Sequence, residues 1–245
     1  MKPRVAISIV IPAYNEERLI GRCLTSLKNQ QFARPYEIIV VNNNSTDATE
    51  KIARSFGVKV IHELQQGVVF ARQKGLLTAR GEIVISGDSD CLYPPDWLQK
   101  IYAIFKQNSS LVAVSGPAIV DTYPWWAYAH YTCGFALTHL VFKITGYVLY
   151  VVGSNFAYKR QVFLDIGGYN TYLDCGGDEF DPLYRLQKIG KAVYNKNVQI
   201  IGNNRRYEVG FVKWLFIHLF YYYWVGFIVN KMTKRLLIQI DPVRT

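Results

Sequence analysis

The feature that most constrains the fold is an alternation. Through residues 5–115, short apolar runs rich in Val and Ile take turns with segments of helical spacing, and only a few residues separate them. Residues 5–11 (VAISIVI), 37–41 (EIIVV), 58–61 (VKVI), 82–86 (EIVIS) and 111–115 (LVAVS) read as strands. Between them, 16–29 carries Leu19, Ile20, Cys23, Leu24 and Leu27 at helical spacing. Residues 45–56 open with Ser and Thr followed by Glu, a helix-start signal, and 67–79 and 95–107 complete the helices. Alternation with short connections implies a mostly parallel sheet covered by helices on both faces.

Ligands of such sheets bind outside the carboxyl ends of the strands. Three polar clusters fall there: Pro12-Ala13-Tyr14-Asn15-Glu16, Asn42 to Asp47, and Asp88-Ser89-Asp90. They are far apart in sequence, yet this topology brings them to one rim. Two carboxylates one residue apart at a strand end can serve one ligand differently. A hard divalent cation takes oxygen donors, typically one or two carboxylates together with substrate phosphates. A turn built from Gly, Asp and Ser is the alternative for Asp-Ser-Asp taken by itself.

At 245 residues, half of them apolar, the chain can bury one sizeable core. We expect a catalytic unit over 1–205, with a donor half to about 115 and an acceptor half over 116–205. A membrane-associating or oligomerising helical segment follows over 206–245. The formal net charge of +10 is concentrated late: from residue 182 onward Lys and Arg are opposed only by Glu208 and Asp241. That balance suits an anionic partner. Cys23, Cys91, Cys133 and Cys175 are scattered, with no C-x-x-C pair, and read as reduced thiols of a cytoplasmic protein. The first apolar run is too short for a secretory leader and reads as the first strand.

The passages SIVIPAYNEERLIGRCLTSL, VVNNNSTDAT and GVVFARQKGLLTARGEIVISGDSDCLYPPDWL, in this order and spacing, resemble glycosyltransferase family 2. GSNFAYKRQVFLDIGGYNT and GGDEFDPLYRLQKIGK extend the resemblance to about residue 191. The resemblance implies a GT-A fold, a Rossmann-like, mostly parallel sheet flanked by helices, and here followed by apolar and aromatic C-terminal helices. It implies an inverting transferase of hexosyltransferase type that uses a nucleoside diphosphate sugar, UDP before GDP, with Mn²⁺ or Mg²⁺. Pro12, Ala13, Tyr14 and Glu16 would border the nucleotide. Asn42 and Asn43 stand where the family usually has an Asp pair that reads the base. Asp47 would cap the next helix or shape its loop, and Arg72 would lie near the diphosphate or the loop before it. Asp88 and Ser89 would face the ribose or sugar, and Asp90, with Asp88, would hold the metal.

Transfer also needs a base for the acceptor hydroxyl, which contributes roughly 10²–10⁴-fold. In CGGDEFDPLYRL the family's Glu-Asp order is inverted. Aligning on Arg185 and Leu186 puts Glu179 at the base position, with Asp178 the alternative. Alone, this acidic cluster would also fit a helix N-terminus favoured by its dipole.

Two aromatic stretches remain, 125–153 and 211–230. The second is about long enough to span a bilayer. With Lys231, Lys234 and Arg235 beside it, it also suits a helix lying on anionic lipid, or a face of a homo-oligomer. His130, His139 and His218 within these stretches read as packing residues. The pairs Trp125-Trp126 and Tyr221 to Tyr223 suit packing or a membrane belt better than sugar stacking. The expected enzyme sits on the inner face of the cell membrane and glycosylates a lipid-linked or growing glycan acceptor. A soluble small-molecule or protein acceptor and an inactive sugar-nucleotide scaffold are the alternatives. A nucleic-acid module is disfavoured, because rim carboxylates repel phosphates in the absence of a metal.

Overall fold

The computed structural model describes residues 5–119, 124–173, 177–203 and 205–238. Cys175, Asp241 and Arg244 lie outside the described residues, as do the side chains of Arg206, His218, Tyr222 and Tyr223.

The elements follow the expected beat. They are β1 (Ile7–Ala13), α1 (Ile20–Lys28), β2 (Tyr36–Asn42), α2 (Thr49–Ser55), β3 (Lys59–His62), α3 (Val68–Thr78), β4 (Ile83–Ser86), α4 (Trp97–Gln107) and β5 (Leu111–Ser115). Then come β6 (Ala118–Ile119), α5 (Trp125–Thr145), β7 (Phe156–Lys159), α6 (Arg160–Asp165), α7 (Phe180–Gln187), β8 (Lys191–Tyr194) and β9 (Ile200–Ile201). A last helical run has three consecutive parts: α8 (Phe211–Lys213), a π-helical stretch (Trp214–Gly226) and α9 (Phe227–Thr233).

Seven strands form one sheet in the order β3-β2-β1-β4-β7-β5-β8. The first four are parallel, with Ile7 opposite Tyr36 and Ile83, and Ala13 opposite Asn42. β7 runs antiparallel between β4 and β5, while β8 is parallel to β5, so the sheet is mixed but mostly parallel. All of β1 is buried, as a central strand covered on both faces requires. Pro12 is tolerated there because the ladder to β4 stops at Val10 opposite Ser86. α3 lies against β1 through Gly75, where a Cβ would meet Val10 Cγ1 at 2.1 Å. β6 and β9 pair separately as a two-stranded parallel ribbon.

The main core runs from β1, β2 and β4 through Trp97 of α4 to Phe156, Tyr158 and Phe163. A separate small cluster joins Ala127, Tyr207 and Trp214, with Trp126 against them. It ties the C-terminal run to the start of α5.

The helix-start signal at 45–50 opens α2 at Thr49, where Asp47 accepts the Thr49 N–H, while the Ser45 hydroxyl accepts the Asn15 N–H at 3.1 Å. Of the alternatives for 211–230, the bilayer span falls. Among the described residues no helix is long and apolar enough to cross a membrane; the run carries Lys213, Asn230 and several polar-tipped aromatics.

Candidate active site

The loops after β1 and β2 are stitched together before they meet any ligand. Asn15 Oδ1 accepts the Thr46 N–H at 2.8 Å, and the Glu16 N–H donates to Thr49 Oγ1 at 2.7 Å. Asp47 accepts the N–H of Glu17 at 3.1 Å and of Thr49 at 2.9 Å, which opens α2 and fixes the loop. Burial opposes its ionisation, but these donors outweigh that and hold the Asp47 carboxyl below its ordinary value. Asn42 receives the Ser45 N–H and donates to Glu50, at 3.0 and 2.9 Å. Asn43 donates to the carbonyls of Glu63 and Gln65 and accepts the Gly67 N–H, each within 2.8 Å. Both amides, placed by the resemblance at a base-reading position, thus brace the loops around β2 and β3.

Beneath the rim lies Arg72 of α3, only 3% exposed. Its Nη1 donates to Ser86 Oγ and to the Gly153 carbonyl, both at 2.6 Å. Its Nη2 donates to Asp88 Oδ1 at 2.6 Å, and its Nε lies 3.3 Å from Asp178 Oδ2. Burial disfavours the guanidinium charge, and Asp178 and Asp88 outweigh it, so Arg72 is held more firmly protonated than a free arginine. Arg72, expected near the diphosphate or the loop before it, is the floor of the site.

Asp88 reaches this floor because Gly87 follows β4. A Cβ at residue 87 would lie 2.5 Å from the Tyr93 hydroxyl and 2.7 Å from Ile11 Cδ1. The chain therefore turns tightly enough for the Asp88 N–H to donate to that hydroxyl at 2.8 Å. Ser89 is buried beside it, Pro12 and Ala13 are buried at the end of β1, and Tyr14 is half-buried at the mouth.

Asp88, Asp90 and Cys91 bring their ligand atoms within 4.8 Å of one another. Burial, then the nearby carboxylates, pushes the Cys91 thiol well above its ordinary value, and a soft sulfur donor suits a hard divalent ion poorly. The two carboxylates remain, which are the hard oxygen donors that Mg²⁺ or Mn²⁺ takes. The residues present fit such an ion.

One participant had no signal in the sequence motifs. Arg205, in a single 3₁₀ turn (Arg205–Tyr207), reaches back to the rim. Its Nη1 donates to Glu16 Oε2 at 3.0 Å, and its Nη2 donates to Glu16 Oε1 at 2.6 Å and Asp90 Oδ2 at 2.8 Å. Burial opposes its charge, and Glu16 and Asp90 overcome that opposition. Only the basic bias of the C-terminal third hinted at it.

Glu179 stands at the N-terminus of α7 and accepts the Gly153 N–H at 2.9 Å. Asp178 is ion-paired with Arg72. Asp181 binds Arg185 and Asn170, each at 2.8 Å, and is a structural brace for α7. Arg72 therefore touches Asp88 directly, Asp178 directly, and Glu179 through Gly153. Asp88 and Asp178, ninety residues apart in the chain, meet around one guanidinium. Among the described residues Cys23, Cys91 and Cys133 are free thiols.

A family model described as "Glycosyl transferase family 2" matches residues 8–167. A glucosyl-dolichyl phosphate glucuronosyltransferase of Haloferax volcanii is 25% identical over 261 residues, which cover 96% of this chain and 78% of that protein. Mannosyltransferase PcManGT from Pyrobaculum calidifontis, solved with GDP-Man and Mn²⁺, aligns with a TM-score of 0.70 at 22% identity. That alignment covers 99% of this chain and 66% of that one. The S. aureus TarS 1-349 structure in complex with UDP aligns with a TM-score of 0.64 at 19% identity, over 80% of this chain and 59% of that one. At these identities the two solved structures show a shared fold.

Proposed function

The chain belongs to glycosyl transferase family 2, and from that premise we propose that it is a metal-dependent, inverting transferase. It moves one sugar from a nucleoside diphosphate sugar, UDP-linked or GDP-linked, to a lipid-linked or growing glycan acceptor. The observation that carries this reading is the single guanidinium of Arg72 between Asp88 at 2.6 Å and Asp178 at 3.3 Å. It brings together Asp88 and Asp178, which this reading assigns to the donor and acceptor sides, at the carboxyl edge of the sheet.

Asp90 and Asp88 hold the divalent cation in this account. When bound, it supplies Lewis-acid stabilisation of the leaving diphosphate, worth several kcal/mol. Pro12, Ala13, Tyr14 and Glu16 border the nucleotide, with Asn42 and Asn43 bracing its wall, and Asp88 and Ser89 meet the ribose or sugar. Glu179 takes the proton from the acceptor hydroxyl. Asp178 is the poorer candidate, because its ion pair with Arg72 already engages it. One base on the face opposite the leaving group gives a single displacement with inversion at the anomeric carbon.

The acceptor assignment rests on the surface. Trp125, Tyr128, Leu140 and Ile144 of α5 are exposed, as are Phe216, Phe220, Trp224 and Met232 of the C-terminal run. Lys143, Lys213, Lys231, Lys234 and Arg235 are interspersed among them or follow directly. Monomeric soluble proteins rarely leave so much apolar surface in the open. Aromatics with a basic border suit peripheral docking on an anionic cytosolic membrane face. The Haloferax relative is likewise named for a dolichyl phosphate-linked substrate.

The test is transfer from labelled UDP- and GDP-sugars to polyprenyl phosphates, with Mn²⁺, in neutral and in anionic vesicles. The proposal expects product with metal and anionic vesicles together. Equal transfer to water-soluble acceptors without vesicles would replace the lipid assignment. Nucleotide binding with no transfer to any acceptor would leave a sugar-nucleotide scaffold.

A further inference from the structure

Arg205 holds the two acidic residues that frame the donor site, and it does so from the far end of the chain. Its bidentate contact with Glu16 is with a side chain only 4% exposed, and the same Nη2 bonds Asp90. A carboxylate removed from water needs a positive partner, so Arg205 fills locally the electrostatic role that a bound cation fills elsewhere. Asp90 Oδ2 carries Arg205, and among the described residues Asp90 Oδ1 faces the weak Cys91 thiol donor at 3.6 Å. A divalent ion drawn to Asp88 and Asp90 therefore arrives beside a guanidinium on the same carboxylate. Like charges at such a separation repel strongly outside bulk water.

We propose that Arg205 is the exchangeable resident cation of the donor site: it holds Glu16 and Asp90 together in the ligand-free protein and yields Asp90 to the divalent ion when the donor binds. This inference rests on the metal-dependent transferase reading above, and it adds a residue and an event to it.

The position of Arg205 gives the exchange a consequence. Two residues on, Tyr207 packs in the small aromatic cluster with Ala127 and Trp214. Gly210, at φ 87, then turns the chain into the C-terminal helical run. The Arg205 ion pairs thus fasten the root of the exposed aromatic helices to the donor rim. Release of Asp90 loosens that root, and by linkage anything that holds the root in place weakens metal binding by the same factor. The site and the aromatic surface then share one switch, made from a contact the structure shows directly.

Two measurements test this. The first is Mn²⁺ affinity without nucleotide, read by the loss of the free-ion electron paramagnetic resonance signal, for the natural chain and for Arg205→Gln. Removing the competing charge should tighten Mn²⁺ at least tenfold. Unchanged or weaker binding would overturn the proposal. The second needs no variant, and so survives any folding defect: hydrogen exchange across 203–215 of the natural chain with and without Mn²⁺ and UDP or GDP. Faster exchange in the loaded protein is expected, and equal or slower exchange would contradict the release. Asp88→Asn with Asp90→Asn is the control for the donor site itself. If this double variant binds Mn²⁺ as well as the natural chain, the metal site assigned above is wrong, whatever Arg205 does.

Discussion

The floor and the mouth of the rim are both built on an arginine between carboxylates, and they differ in almost everything else. Arg72 sits on an eleven-residue helix packed on the central strands, and its partners come from β4, the turn before β7 and the start of α7. Arg205 sits on a three-residue turn after the last strand, and its partners come from the loops after β1 and β4. The same pairing chemistry gives a fixed element where the supporting chain is core, and an exchangeable one where it is a short turn. That difference suits a transferase. The geometry between donor sugar and acceptor base must stay constant, while the place where the metal nucleotide enters must open and close.

The largest effect should come from the residue chained to the floor without being part of it. Glu179→Gln should lower the turnover number by roughly 10²–10⁴-fold and leave nucleotide affinity unchanged in calorimetry. If Asp178→Asn produces that split and Glu179→Gln stays active, the base has been misassigned and the floor itself does the chemistry.

Next in size is the floor as structure. Arg72→Met removes the cation beside the buried Asp178 and the half-buried Asp88, so urea unfolding should show a loss of about 3 kcal/mol. Arg205→Gln keeps an amide donor beside Glu16 and Asp90 and should lose less, about 1.5 kcal/mol. Equal losses would mean that the two arginines are equally structural, and the contrast would be gone.

A smaller effect concerns the turn that delivers Asp88. Gly87→Ala forces a methyl group against Tyr93 and Ile11, an overpacking that costs about 2 kcal/mol. The variant should also weaken Mn²⁺ binding, because Asp88 moves with the turn.

The smallest effect is a control at the opposite end of the strands. Glu37 accepts from Ser8 at 2.6 Å and from Arg80 at 2.9 Å. Burial works against its ionisation, and these bonds overcome it and hold the carboxyl below its ordinary value. A depressed folded value means the stabilisation is complete above the unfolded value and is lost as pH falls through the folded one. Glu37→Gln should therefore flatten the fall in melting temperature below about pH 4.5, with no change in Mn²⁺ affinity. An effect on the metal would show that the ends of the sheet are coupled.

The same contrast explains what could be read in the sequence. The donor half was legible because buried parallel strands are continuous runs of Val and Ile, and the connections between them are short. The strand ends then locate Glu16, Asn42 and Asp88 without further information. β7 (FAYK) was hidden because it is four residues long and gains its place only by pairing antiparallel with both β4 and β5. The helix-start signal located α2 but not the loop before it, because Ser45 bonds across to Asn15, a contact 30 residues away in sequence. Arg205 was invisible for the same reason at greater range: it lies 189 residues from Glu16, in a turn with no periodicity, and nothing local sets it apart from other basic residues of that third.

The most direct test of the central claim is thermal melting with UDP and with GDP, each with and without Mn²⁺, for the natural chain and for Asp90→Asn. Ligand at a hundred times its dissociation constant adds about 2.7 kcal/mol, a clear upward shift. The account predicts a shift with one of the two nucleotides, only when Mn²⁺ is present, and its loss in Asp90→Asn. A shift of the same size without metal, or one that survives in Asp90→Asn, would contradict it.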